Sequence, residues 1–286
     1  MMKQWNAESS REWIAVPTAE DDKYSRGVLG IVTGSELYPG AAVLGVEAAA
    51  RTGVGMIRYL GSKSPTDHVL RRRPEVVTVS GRVQAWLLGS GMAWGSGDGD
   101  DADAVTKALS DTLPLVVDAG MLDRITQVSA PTIITPHYSE LAKTLTSSDP
   151  AHPVSVSEIR SHPATWATRA AQLWGVTVLL KGHTTHVVSP SGEHVCVHAE
   201  SSWLATAGSG DVLGGILGAL VATHAEVIRE SGHEALTALA ASAAWIHARA
   251  GMFASNGGPV VALDIAEAVP VVIRELLSGQ SLFGGE

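Results

Sequence analysis

The chain has 286 residues, 29 acidic and 20 basic, and a formal charge of −9 with histidine neutral. An apolar share of 45% excludes disorder as the main state, and the acidic balance argues against a general binder of nucleic-acid backbones, which needs clustered Lys and Arg. A small anionic ligand stays admissible, because a helix N-terminus attracts anions through backbone dipoles. Cys196 is the single cysteine, so no intrachain disulfide forms and a reducing compartment fits. The opening MMKQWNAESSREWIAVP has no uninterrupted apolar stretch of the kind a secretory signal carries. The longest apolar run, Val212–Ala222, falls short of the ~20 residues a spanning helix needs. A cytoplasmic protein without membrane or nucleic-acid partners is the expectation.

In chain order, short apolar runs predict strands at Val28–Thr33, Ile57–Leu60, Val76–Val79, Trp86–Leu88, Leu115–Asp118, Thr132–Thr135 and Val176–Leu180. Most are continuous rather than alternating, which suits strands covered on both faces. Helical patterns lie between and after them, at Ala41–Arg51, Ala102–Thr112, Tyr138–Leu145, Pro163–Trp174, Val212–Thr223, Glu234–Phe253 and Ile265–Leu277. His186–Ser189 and Val195–His198, joined through Pro190-Ser-Gly192, read as a hairpin, and 147–161 as a loop. Strands alternating with helices imply βαβ units: an α/β fold with a central, mostly parallel sheet and helices on both faces. One domain over 13–275 with flexible ends at 1–12 and 278–286 is expected.

The strongest local signal is Ala205-Thr-Ala-Gly-Ser-Gly-Asp-Val-Leu-Gly-Gly215, where glycines precede an apolar helix. The free amides of such a helix start form an anion hole, here over Ala207, Gly208, Ser209 and Gly210. Asp211 repels an anion at that place unless it takes a proton from a hydroxyl that meets the phosphoryl group; its plain alternative is a cap on a glycine-hinged helix. Leu180-Lys-Gly-His-Thr-Thr185 ends a predicted strand and suits phosphate or ribose, or else is a solvated turn. Thr135-Pro-His-Tyr-Ser-Glu140 ends another, with His137 facing a ligand or capping the turn. Gly34…Pro39-Gly-Ala-Ala-Val43 lets something large approach a helix start, or serves tight packing. No P-loop is present, and both candidate G-x-G-x-x-G stretches fail at the third glycine. Asp98–Asp103 lacks the glutamate that completes a calcium loop, and His194, Cys196 and His198 lack a fourth zinc ligand at suitable spacing, so no protein metal site is expected.

Together, ATAGSGDVLGG, TPHYSEL, LKGHTT and PGAAVLGVEAAARTGVG make the chain resemble the ADP-dependent NAD(P)H-hydrate dehydratases over residues 13–275. The resemblance implies a ribokinase-like fold. It also implies dehydration of (6S)-NADHX or NADPHX to NADH or NADPH, with ADP converted to AMP and phosphate. Asp211 is then the general base, and the anion hole at 207–210 holds the transferred phosphoryl. Lys181, Gly182, His183, Thr184, Thr185 and Gly210 hold the nucleotide, and Ala42, Gly91, His137 and Asp211 the hydrate. Mg²⁺ is expected to bridge phosphate oxygens. The expected partners are further copies in a homo-oligomer, a tetramer, and a separate NAD(P)H-hydrate epimerase, since the epimerase domain fused to some members has no counterpart here. Three stretches depart from the family pattern: Ser201–Leu204 replaces Asn-Pro-Gly-Met, Asp118-Ala-Gly120 lacks a second acid, and Gly89-Ser-Gly-Met-Ala93 replaces Gly-Pro-Gly-Leu-Gly. The alternatives are an ATP-dependent kinase for a vitamin-precursor or sugar hydroxyl, which needs the same anion hole and base, and a non-catalytic adenylate sensor, which has no use for Asp211.

Overall fold

A computed structural model describes residues 3–93, 101–199 and 201–279. The described strands are β1 (Lys3–Gln4), β2 (Val28–Val32), β3 (Met56–Tyr59), β4 (Ala85–Leu88), β5 (Leu115–Val117), β6 (Thr132–Ile134), β7 (Thr177–Leu180), β8 (Thr184–Val188) and β9 (His194–His198). The described helices are α1 (Ala7–Arg11), α2 (Pro39–Thr52), α3 (Lys63–Arg72), α4 (Ala102–Ser110), α5 (Tyr138–Ser148), α6 (Val156–Ser161), α7 (Pro163–Trp174), α8 (Ser209–Thr223), α9 (Ala225–Ser231), α10 (His233–Ser255) and α11 (Ala262–Ser278). The strands form one nine-stranded sheet in the order β1-β9-β8-β7-β6-β5-β4-β2-β3, antiparallel only at β7-β8 and β8-β9. This is the mostly parallel α/β architecture expected, with the late hairpin in place.

Side-chain alternation divides the core. Leu29, Ile31 and Leu87 face a cluster built with α2, α8, α10 and α11, whereas Val28, Val32, Trp86 and Leu88 face one built with α5 and α7. Both sheet faces are therefore dry, which is why the strands read as continuous apolar runs. Helix α8 is buried along nearly its whole length against α2 and α10. Its approach to the sheet fixes the position of its N-terminus. No single helix among the described residues is long and apolar enough to cross a membrane.

Several expectations fail. Val76–Val79 is not a strand; only Val77 bridges, to Arg58. Residues 3–12 are not frayed: β1 pairs in parallel with β9, α1 follows, and the buried Trp5 donates its indole N–H to Ser242 Oγ at 3.2 Å. Too short to carry a periodicity, β1 is held by an edge formed far away in sequence. Helix α11 runs to Ser278, and of the other end expected to be flexible only Ser278 and Gly279 are described. Within 147–161, Ser155 and Glu158 form a reciprocal cap that starts α6. Helices α3 and α9 also went unread.

Candidate active site

The parallel strands deliver the site at their carboxyl ends, where ligands of open α/β sheets bind. Four neighbouring strands contribute. Ser90 follows β4, Asp118 follows β5, Thr135 follows β6 and Lys181 follows β7. Their register is tight: the Lys181 amide donates to Pro136 O at 2.8 Å and the Asp118 amide to Leu88 O at 2.9 Å.

The centre is a buried ion pair. Lys181 Nζ lies 2.8 Å from Asp118 Oδ1 and 3.7 Å from Glu140 Oε2. Asp118 also accepts from Thr135 Oγ1 at 2.8 Å and from Ser90 Oγ at 2.9 Å. Burial would push the Asp118 carboxyl up, but the Lys181 ammonium and the two hydroxyls outweigh it and hold it below the usual range. Lys181 is held charged in return, chiefly by Asp118. It is not the solvated lysine of a strand-end turn.

Over this pair comes the start of α8. Gly208 caps it in the left-handed region at φ 86°, where a side chain would overlap Leu44. The first helical turn leaves the Gly210 and Asp211 amides without an acceptor among the described residues. Asp211, in this turn, does not cap the helix with its side chain. Burial, reinforced by the charge on Asp118, pushes its carboxyl up to about 6 against the pull of Lys181. It is a carboxylate at neutral pH with a raised proton affinity, as a base requires.

Beside the pair opens a cavity of about 580 Å³. His137, Lys181, Gly182, His183, Thr185, Ser209 and Gly210 are in its wall, as is His247, from the middle of α10. The other expected site residues lie outside this wall. Asp211 stands at the helix start just described, with Gly208 before it and the exposed Ala207 next to that. Thr184 faces the opposite side of β8, its hydroxyl 2.8 Å from His198 Nδ1. Gly91 follows β4, its carbonyl accepting from Ser35 Oγ at 2.8 Å. Ala42 is fully buried and presents no surface. Gly91 and Ala42 flank the point where the sheet order reverses, between β2 and β4.

His137 does cap: its Nδ1 accepts from the Ser139 and Glu140 amides at 3.2 and 3.1 Å. Glu140 Oε2 in turn accepts from the His137 amide at 2.8 Å. The ring still borders the cavity, so both readings of His137 hold at once. Gly120, which lacks the second acid of the family pattern, has no room for one, since any side chain would overlap the Met92 and Ala93 carbonyls. His194 and His198 do not gather about Cys196; His194 Nε2 lies 3.0 Å from His186 Nδ1.

Reading the sequence missed Asp118 as the partner of Lys181, and His247. Asp118 carried a signal, an acid closing an apolar strand. His247 carried none, lying within an Ala-rich helix.

A family model described as NAD(P)H-hydrate dehydratase matches residues 29–270. A bifunctional NAD(P)H-hydrate repair enzyme of Mycobacterium leprae is 41% identical over an aligned length of 222, covering 72% of this chain and 43% of that protein. The chain thus spans less than half the length of such relatives. An ADP-dependent (S)-NAD(P)H-hydrate dehydratase of Neisseria meningitidis is 31% identical over 88% of this chain and 86% of its own. Among solved structures, an ADP/ATP-dependent NAD(P)H-hydrate dehydratase from Bacillus subtilis, co-crystallised with ATP/Mg²⁺, superposes with a TM-score of 0.82 at 22% identity, covering 96% of this chain and 99% of that one. The fold is the ribokinase-like one of its solved neighbours. By the extent of the family match and by the near full-length Neisseria relative, the chain belongs to the NAD(P)H-hydrate dehydratase family.

Proposed function

We propose that the protein dehydrates the (6S) hydrate of NADH or NADPH at the expense of ADP. The observation that carries this is Asp211: a carboxylate with its proton affinity raised to about 6, set among the unpaired amides of an anion hole. Asp211 takes the proton of the C6 hydroxyl while that oxygen forms a bond to the β-phosphorus of ADP. The bond from that phosphorus to the AMP oxygen breaks. The amides at the start of α8 stabilise the charge on the transferring group, and the Lys181 ammonium binds the nucleotide phosphates. The C6–O bond then breaks with loss of the C5 proton, which restores the double bond and releases phosphate.

The adenylate is assigned to the cavity beside Lys181, Gly182, His183 and Thr185, with Thr184 supporting the strand from its other face. The hydrate is assigned to the strand ends between His137, which follows β6 and borders the cavity, and Gly91 at the sheet's reversal point, with Ala42 fixing the backbone there. Among the described residues no three metal-ligating side chains converge, and Asp118 is committed to Lys181. Mg²⁺ belongs to this reading as a companion of the nucleotide. A homo-oligomer, a cytoplasmic location and a separate epimerase supplying the S form belong to it through the family.

Two measurements test the reading. Hydrate plus ADP should regain the absorbance of reduced nicotinamide. In a melting scan, ADP and NADPH should each raise Tm, and each shift should persist when the other ligand is saturating, because a ligand of the folded state alone stabilises by RT ln(1 + [L]/Kd). A kinase for a small hydroxyl compound gives no NADPH shift, and an adenylate sensor gives no turnover.

A further inference from the structure

Trp203 stands at the rim of the cavity, and the reaction above does not use it. It is 47% exposed, and among the described tryptophans it alone is exposed. Its neighbours behave otherwise. Ser201, Ser202, Leu204, Ala205 and Thr206 all line the cavity, so the indole is carried outward from the middle of a stretch that forms the wall. That stretch is held in place. Ser201 Oγ accepts from the Trp203 amide at 3.2 Å, and the Ala205 amide donates to Ser202 O at 3.2 Å. Leu204 packs on Gly251 of α10 so closely that any side chain there would overlap it. Gly251 lies four residues beyond His247, whose Nε2 is 3.0 Å from Ser209 Oγ. Leu204 is thereby set about 6 Å along α10 from the start of α8, where the phosphates are assigned. Val197, Ala199, Ala244 and Ala248 give the same wall small apolar surfaces that admit a flat ring. An indole offers such a ring a large, rigid π-face whose ordering fixes only two torsions.

We propose that Trp203 is the outer wall of the base subsite: rotation about its side-chain torsions lays the indole on the adenine of ADP, while the backbone of 201–206 stays where it stands. This rests on the assignment of the cavity to ADP. Trp203 replaces the glycine of the family's Asn-Pro-Gly-Met, so the contact belongs to this chain and not to the shared pattern. Stacking acts on the base alone. It strengthens a diphosphate and a monophosphate of the same nucleoside equally, and does nothing for a phosphate that carries no base.

The test is calorimetric titration of ADP, AMP and inorganic pyrophosphate into the wild type, Trp203→Gly and Trp203→Phe. Trp203→Gly should bind ADP and AMP each about tenfold more weakly and pyrophosphate as the wild type does, whereas Trp203→Phe should stay within about threefold for all three. ADP should also quench part of the wild-type tryptophan emission, and that part should be missing from Trp203→Phe. Wild-type ADP affinity in Trp203→Gly overturns the proposal, as does a quench that persists undiminished in Trp203→Phe. An equal loss of pyrophosphate overturns it as well, because the residue then acts through the wall and not on the base. A Trp203→Gly chain that binds ADP normally but sediments as a smaller species assigns the indole to a contact between copies. If the wild type itself binds neither nucleotide, the assignment of the cavity has failed and the proposal falls with it, an outcome that the wild-type titration alone distinguishes.

Discussion

The Lys181 ammonium lies 2.8 Å from Asp118 Oδ1, although the two residues stand 63 positions apart and their strands are separated by β6. A side chain on Gly210 would come within 3.5 Å of the same ammonium, so the pair sits directly beneath the helix start that forms the anion hole. One cation thus faces the cavity, is anchored by one acid and tempers a second, Asp211.

Removing Lys181 leaves Asp118 buried and unpaired. Lys181→Met should cost about 3–5 kcal/mol in urea unfolding and raise the KM for ADP more than it lowers kcat. Lys181→Met with Asp118→Asn should recover much of the stability and none of the nucleotide affinity. A single variant as stable as wild type contradicts the buried pair.

Asp211→Asn should lower kcat by about 10²–10⁴ while leaving ADP binding largely intact, since Asn cannot take a proton. In the wild type, the rate should fall with decreasing pH below about 6, as Asp211 protonates. A rate independent of pH from 5 to 8 removes Asp211 from the base role.

The same group links pH to stability. Its pKa is raised on folding, so its stabilising contribution is complete below about 4 and lost as pH rises through about 6. Asp211→Asn should therefore be more stable than wild type at pH 8, by about 1–3 kcal/mol, and gain little at pH 4. Melting curves at the two pH values decide it.

Glu47 on α2 is fully buried and bonds Arg51, Arg72 and Arg73, the tightest contacts being 2.6 Å. Burial alone would raise its pKa, but the three guanidiniums outweigh this and hold it at about 2. Its contribution is present above its ordinary value near 4.5 and lost as pH falls toward 2. Glu47→Gln should cost about 3 kcal/mol at pH 7 and flatten the acid limb of the stability curve. An unchanged curve would show that the guanidiniums do not depend on it.

Trp5→Ala should destabilise the chain by about 3 kcal/mol, because the indole is buried and bonded to Ser242. Equal unfolding midpoints for variant and wild type would return the first dozen residues to a frayed end.

Local sequence determined the parts whose burial is uniform along an element. Strands dry on both faces read as apolar runs, and α7 was read from Pro163 to Trp174 as it stands because proline opens it and Gly175 closes it in a left-handed turn. The glycine-hinged start of α8 and the strand-end position of Lys181 were also legible, since glycines and strand ends are marked in the local sequence. Tertiary structure decided whatever depends on a partner distant in sequence. Strand β1 exists because β9 offers an edge. Asp118 has its role because β5 lies one strand from β7, and His247 its place in the cavity wall because α10 packs on the start of α8. Ala42, expected at the substrate, is buried by the packing of its own helix. Periodicity reports the environment averaged over a turn, whereas an ion pair or a single hydrogen bond depends on which strand ends the sheet order brings side by side.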